Sequence, residues 1–283
     1  MANIVRHKII DKKEILNCPV CNSKIKSSSF VDWNGLNYDF CGQCGSTYQN
    51  PKVEIEYEEN YWGEIIDPDG NKRVLKDEKE LKIKNWYGKT VNYVNSLDPG
   101  KILDIGAGLG FFLSGIDRKW EKYAQDYSSY SLEFIKEQDS KVNICNDDLY
   151  NFSFQDNKFD VIMFYHVIEH LENPGSALNE INRILKEDGI LLVGTPNIKS
   201  IASRLFKGNF RHYGPPHTVL FTPSSLKDLL YNNGFGIFKK EYPFWGTDYA
   251  NFKNISRMFY PKGLSPAFYG SVMTYYCKKL ESK

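Results

Sequence analysis

The chain has almost no surplus of charge: 36 lysines and arginines against 35 acidic residues leave a formal +1 over 283 residues. Bulk electrostatics therefore does not favour a nucleic-acid partner. No run of about 18 apolar residues occurs, which excludes a membrane-spanning helix. Met1 to Lys13 is polar and charged and lacks the apolar segment of a secretory signal. These absences predict a cytoplasmic protein. No internal repeat and no low-complexity tract is present. Cysteine is scarce, with 6 in the chain.

Four of those cysteines are paired, as Cys18/Cys21 and Cys41/Cys44, with residues 22–40 between the pairs. The two-residue gaps let both sulfurs of a pair point at one ion from a tight turn, and Gly45 tolerates the positive φ such a turn needs. This C-x2-C, C-x2-C spacing predicts a zinc ribbon over residues 1–50, with Cys18, Cys21, Cys41 and Cys44 as ligands of a structural zinc. Two disulfides or a redox-active pair compete, and a cytosolic setting disfavours stable disulfides. Four sulfurs leave no open position for catalysis. Asn34-Gly35 reads as a hairpin turn between two short strands. Cys145 and Cys277 read as core residues.

Residues 51–97 form a connector. Its first part is acidic and aromatic, with Tyr57, Tyr61 and Trp62 as a candidate lid. Asp67 to Gly70 reads as a turn. Residues 72–97 have helical spacing among lysines and glutamates, which predicts a surface helix packed on the core.

Residues 101–113 organise the rest. Ile102, Leu103 and Ile105 make a short buried strand, Gly106, Ala107, Gly108 and Gly110 a tight loop, and a helix is expected over 111–119. A strand, a glycine turn and a helix start let backbone approach a nucleotide-like ligand. The glycines run G-x-G-x-G, where a dinucleotide site wants G-x-G-x-x-G. Asp104 lies inside the strand, and Asp126 follows a second strand at the place of a ribose-binding acid. Asp147 to Asp160 and His166 to Pro174 then continue in order, the latter reading H-V-I-E-H-L-E-N-P.

Together these stretches resemble the class I S-adenosylmethionine-dependent methyltransferases. The resemblance implies a Rossmann-like, seven-stranded α/β methyltransferase sheet over residues 98–283, next to the small zinc-ribbon module. It implies S-adenosylmethionine contacts from Asp104, Gly106, Ala107, Gly108, Gly110, Phe111, Asp126, Tyr127, Asp148, Leu149 and Phe164. Asp147 stands where the family pattern has glycine, so the adenine-binding acid lies between Asp147 and Asp148, with Asp148 favoured by counting back from Phe159-Asp160. A fifth strand is expected over 190–195. Insertions at 198–222 and 243–267 are expected to wall the acceptor pocket, the second alternatively serving a dimer contact.

For a hydroxyl acceptor a base is useful, and histidine titrates in the right range. His217 is the leading candidate, with His212, His166 and the Glu169/His170 pair beside it. A structural role for Glu169 and His170 stays open, as does a divalent ion there. The resemblance points to methyl transfer onto oxygen of a small acceptor, sugar-derived or a cell-surface-glycan precursor. An RNA methyltransferase docking its substrate through the ribbon and a non-catalytic cofactor-binding protein remain as alternatives.

Overall fold

The computed structural model describes residues 7–57, 64–66 and 72–280. The N-terminal part holds β1 (His7–Lys13), β2 (Lys26–Val31), β3 (Asn37–Cys41), β4 (Thr47–Gln49), β5 (Lys52–Tyr57), β6 (Glu64–Ile66) and β7 (Lys72–Val74). β2 and β3 form the expected hairpin around Asn34-Gly35. β1 pairs antiparallel with β5, so chain pairing crosses residue 50, where the ribbon was expected to end. Tyr61, Trp62 and the turn at 67–70 lie outside the described residues, as does the side chain of Tyr57.

The connector is helical in pieces. α1 (Lys79–Lys82), a π-helical turn over Ile83–Tyr87 and α2 (Gly88–Asn95) follow one another, after the strand Lys72–Val74 that the helical reading of 72–97 did not anticipate.

The core contains β8 (Lys101–Ile105), α3 (Phe111–Gly115), β9 (Glu121–Gln125), α4 (Ser129–Gln138), β10 (Asn143–Cys145), β11 (Phe159–Tyr165), α5 (Pro174–Ile184), β12 (Leu185–Pro196), α6 (Ile201–Phe206), β13 (Val219–Leu220), α7 (Pro223–Asn232), β14 (Phe235–Glu241), α8 (Phe252–Arg257) and β15 (Val272–Lys279). Its sheet has the order β10-β9-β8-β11-β12-β15-β14, with β15 antiparallel to both neighbours. Strand alternation separates two apolar layers. Leu103, Ile105, Ile162 and Phe164 pack with α5 and α7, while Ile102, Val161, Met163 and Tyr165 pack with α2, α3 and α4.

Local chemistry sets the element ends. Asn173 caps α5 by accepting from the Ser176 N–H at 3.1 Å, with Pro174 in the first turn. Thr222 and Ser225 form a capping box on α7. Two boundaries differ from expectation. The helix over 111–119 stops at Gly115, because the buried Lys122 ammonium donates to the carbonyls of Leu113 (2.8 Å) and Ile116 (2.6 Å), satisfying backbone groups that a further turn would have used. The fifth strand starts at Leu185, opposite Phe159, and Asp188-Gly189 lies in a bulge before the ladder resumes at Ile190.

The insertion 198–222 supplies a strand to the ribbon: β13 pairs with β4, giving a sheet ordered β13-β4-β3-β2. The joint is dense. The Tyr38 hydroxyl, fully buried, donates toward the carbonyls of Gly214 (3.0 Å) and His217 (3.2 Å) and accepts from the Gly214 N–H (3.1 Å). The Gln49 amide donates to Gly214 and Pro215 carbonyls, and Trp33 Nε1 donates to the Tyr213 carbonyl. Removing the hydroxyl strands a buried N–H. Tyr38→Phe is expected to lower unfolding free energy by about 1–3 kcal/mol in denaturant titration.

Candidate active site

In each cysteine pair the turn after the second ligand uses a left-handed residue. Gly45 takes φ 75° as expected, and Asn22 does the same at φ 57°. The four sulfurs converge, Cys18 lying 3.7 Å from Cys44 and Cys21 3.6 Å from Cys41. A tetrahedral zinc with sulfurs at 2.3 Å requires sulfur separations of about 3.8 Å, so the cluster fits a zinc ribbon.

The glycine loop, Asp126 and His166 follow the C-terminal ends of β8, β9 and β11, the side on which open parallel α/β sheets bind ligands. Gly106, Gly108 and Gly110 all have positive φ, and a Cβ on Gly106 would stand 2.4 Å from a Val167 methyl. The loop is held by β9: the Ala107 N–H donates to the Gln125 carbonyl (2.9 Å) and the Gly108 N–H to the Asp126 carboxylate (2.8 Å). Phe111 is buried at the start of α3. Asp104 is buried on the α3 side of the sheet, and among the described residues nothing donates a hydrogen bond to its carboxylate. Burial, and then the charge of Asp126, push its pKa well above the usual range. Burial likewise raises Asp126.

Asp147 and Asp148 are separated by their partners. Asp147 holds its own loop, accepting from the Ser153 N–H at 2.8 Å. Asp148 is exposed to the crevice, where the Tyr127 hydroxyl reaches it at 3.3 Å. The side chains of Leu149 and Phe164 are fully buried in the α5/α7 layer, so only their backbone can face a ligand.

His166, Glu169, His170 and His217 come together. His166 has φ 56°, a strained conformation for a residue with a side chain. Its Nδ1 lies 2.9 Å from Glu169 Oε1, and its Nε2 is buried without a partner among the described residues. Glu169 is fully buried, and its second oxygen accepts from the Thr195 hydroxyl at 2.9 Å. Burial would push the Glu169 carboxyl up, but the hydrogen bond and charge of His166 outweigh it and hold the pKa at about 2. His170 Nδ1 lies 2.7 Å from the Pro216 carbonyl, and His217 Nδ1 bonds the His212 carbonyl. One ligand atom each from Glu169, His170 and His217 lies within 4.8 Å of the others.

The connector closes this side, which the sequence did not disclose for its helical part. The Trp86 ring packs edge-on against His166, with centroids 5.0 Å apart, and Trp86 Nε1 donates to the Tyr249 hydroxyl at 2.9 Å. Tyr87 packs on Phe112 and Tyr165. Asn85 exchanges hydrogen bonds with Asp248. The only local hint was an adjacent Trp-Tyr pair in a lysine-rich helix.

Over residues 84–240 the sequence matches the profile of a methyltransferase domain. The chain belongs to the class I S-adenosylmethionine-dependent methyltransferases. Its relatives include an uncharacterised protein of Methanocaldococcus jannaschii, 32% identical over 45% of this chain and 52% of that protein. A ubiquinone biosynthesis O-methyltransferase of Glaesserella parasuis is 31% identical over 46% of this chain and 58% of its own length. A demethylmenaquinone methyltransferase of Bacteroides fragilis is 26% identical over 54% and 74%. The chain thus spans about half the length of the first of these relatives. In fold, a Thermotoga maritima S-adenosylmethionine-dependent methyltransferase superposes with a TM-score of 0.54 at 21% identity, covering 72% of this chain and 94% of that one. The [4+2]-cyclase SpnF has the same fold, with a TM-score of 0.54 at 18% identity over 74% of this chain and 84% of its own. The sugar-derived acceptor expected from the sequence has no support among these relatives.

In this chain the histidines tie stability to pH. His170, His212 and His217 have pKa values below the ordinary 6.5, with burial the largest cause, and His217 is pushed down to about 4. The unfolded chain binds protons near pH 6.5 that the folded chain refuses. Their stability contribution is therefore complete above about pH 6.5 and is lost as pH falls toward 4. Glu169 adds nothing in the upper part of this window, being ionised in both states above about pH 4.5. Unfolding free energy is expected to fall between pH 6.5 and 4.5, with a shallower slope in His212→Leu.

Proposed function

We propose that the protein transfers the methyl group of S-adenosylmethionine to a hydroxyl oxygen of a small acceptor, with His166 and Glu169 acting as a base pair of residues. One observation carries the reading: the buried Glu169 carboxyl holds Nδ1 of His166 and leaves Nε2 buried and, among the described residues, unpartnered at the strand end. This is the geometry of a general base oriented by a carboxylate. Bound S-adenosylmethionine would supply the methyl from its sulfonium and leave as the neutral thioether, and His166 Nε2 would take the acceptor's hydroxyl proton. The proton thus goes to His166 and not to His217, the leading sequence candidate. A histidine with its pKa near 4 is a weak base at neutral pH. His217 and His170 instead line the acceptor side.

The cofactor supplies an activated methyl. Asp126 would accept from its ribose hydroxyls and Asp148, with the Leu149 N–H, would read its adenine. Asp104 would face its positively charged end. A raised carboxylate pKa suits that role, because a bound cation draws the proton off. Calorimetry in buffers of different ionisation enthalpy is expected to record proton release on cofactor binding. Asp126→Ala is expected to weaken that binding roughly 10–100-fold. The four cysteines would hold a structural zinc that keeps the ribbon folded.

The O-methyltransferase among the relatives supports oxygen as the acceptor atom. His166→Ala and Glu169→Gln are each expected to lower kcat by about 10²–10³ with cofactor affinity near wild type. A larger loss from His217→Ala than from His166→Ala would move the base to His217. A second reading rests on the convergence of Glu169, His170 and His217 within 4.8 Å, each imidazole having its Nδ1 on a backbone carbonyl. A divalent ion held there would polarise the acceptor oxygen. Turnover abolished by a chelator and restored by manganese would favour it.

A further inference from the structure

The two insertions share one apolar cluster on their inner sides and leave large apolar side chains exposed on their outer sides. α6 buries Ala202 and Phe206, and α8 is followed by Met258; all three sit in one apolar cluster with Tyr38, Phe210 and Tyr213. The inner sides of both helices are thus accounted for. Their outer sides are apolar as well. Phe252 is 85% exposed, Phe259 77% and Tyr260 75%, with Ile201 and Leu205 exposed on α6. Phe252 opens α8, and Phe259 and Tyr260 stand in the turn just after it, where the Phe259 N–H donates to the Ser256 carbonyl and the Tyr260 N–H to the Arg257 carbonyl. Large aromatics this exposed are unusual on a soluble surface.

Within the two segments the charge is of one sign, and the neighbouring Asp248 is paired with Lys84. Residues 198–209 contain Lys199, Arg204 and Lys207 and no acid; residues 249–263 contain Lys253, Arg257 and Lys262 and no acid. In a chain with a formal charge of +1 this is a local concentration. Arg204, Lys207, Lys253 and Lys262 are exposed. Aromatic and aliphatic side chains flanked by exposed lysines are the chemistry of a surface that lies in the headgroup region of a bilayer with anionic lipid.

We propose that α6, α8 and the turn after α8 form a docking surface for an anionic membrane surface. The charges weigh against a second copy of the chain as occupant, since a two-fold contact here would set lysines against lysines. Aliphatic Ile201 and Leu205 gain nothing from stacked bases, which weighs against single-stranded nucleic acid. No helix among the described residues is long and apolar enough to cross a membrane, so the contact is peripheral. This inference does not depend on the methyl-transfer reading.

Flotation of the whole protein with vesicles tests it. One set is pure phosphatidylcholine, the other an equal mixture with phosphatidylglycerol. Wild type is expected to float with the mixed vesicles, to remain behind with phosphatidylcholine and to be released by high salt. Phe252→Ser with Phe259→Ser is expected to reduce binding by roughly tenfold or more, and Lys253→Gln with Lys262→Gln likewise. Unchanged circular dichroism and cofactor affinity in the variants would show that the fold is kept. Failure of wild type to bind mixed vesicles overturns the proposal, as does equal binding by all variants. A dimer in sedimentation velocity, or retardation of a polyuridine strand, that the same substitutions abolish in a protein that ignores vesicles would also overturn it.

Discussion

The buried carboxylate of Glu169 is the constraint on which the crevice depends. It takes one hydrogen bond from His166, just beyond the end of β11, and one from Thr195 in β12. An ionised group with no exposure is stable in a fold only when both oxygens are partnered. Satisfying it pins the two central strand ends together and forces His166 into its left-handed backbone. The strain at His166 and the burial of Glu169 are therefore parts of one arrangement.

The ribbon and the insertion 198–222 extend that arrangement outward. Tyr38 and Gln49 hold the backbone around Gly214, and the same loop carries the carbonyls that fix His170 and His217. A module of the size of this ribbon has too little apolar area to be stable alone. Here it gains a strand from the insertion and in turn holds the loop that carries His217. The connector makes a comparable joint, where Trp86 bonds Tyr249 of the second insertion and packs on His166.

Much of this was legible in the residues. The two C-x2-C turns, the hairpin at Asn34-Gly35 and the glycine loop with Asp104 are short-range signals. Each depends on neighbours within a few positions. The helix end at Gly115 was not legible, because Lys122 arrives from the next strand to take its carbonyls. Trp86 was not legible as a site residue for the same kind of reason: its partners, His166 and Tyr249, are far away in sequence.

By itself the sequence determined the cysteine spacing and the strand–glycine-turn–helix unit, because periodicity and turn chemistry are local, and its resemblance to the methyltransferase family implied the seven-stranded core. Only the tertiary structure decided which histidine is held by a carboxylate, which aspartate of Asp147 and Asp148 is spent on its own loop, and which strand completes the ribbon. Those outcomes follow from desolvation and from hydrogen-bond partners contributed by distant segments, and no pattern within one stretch of chain encodes them.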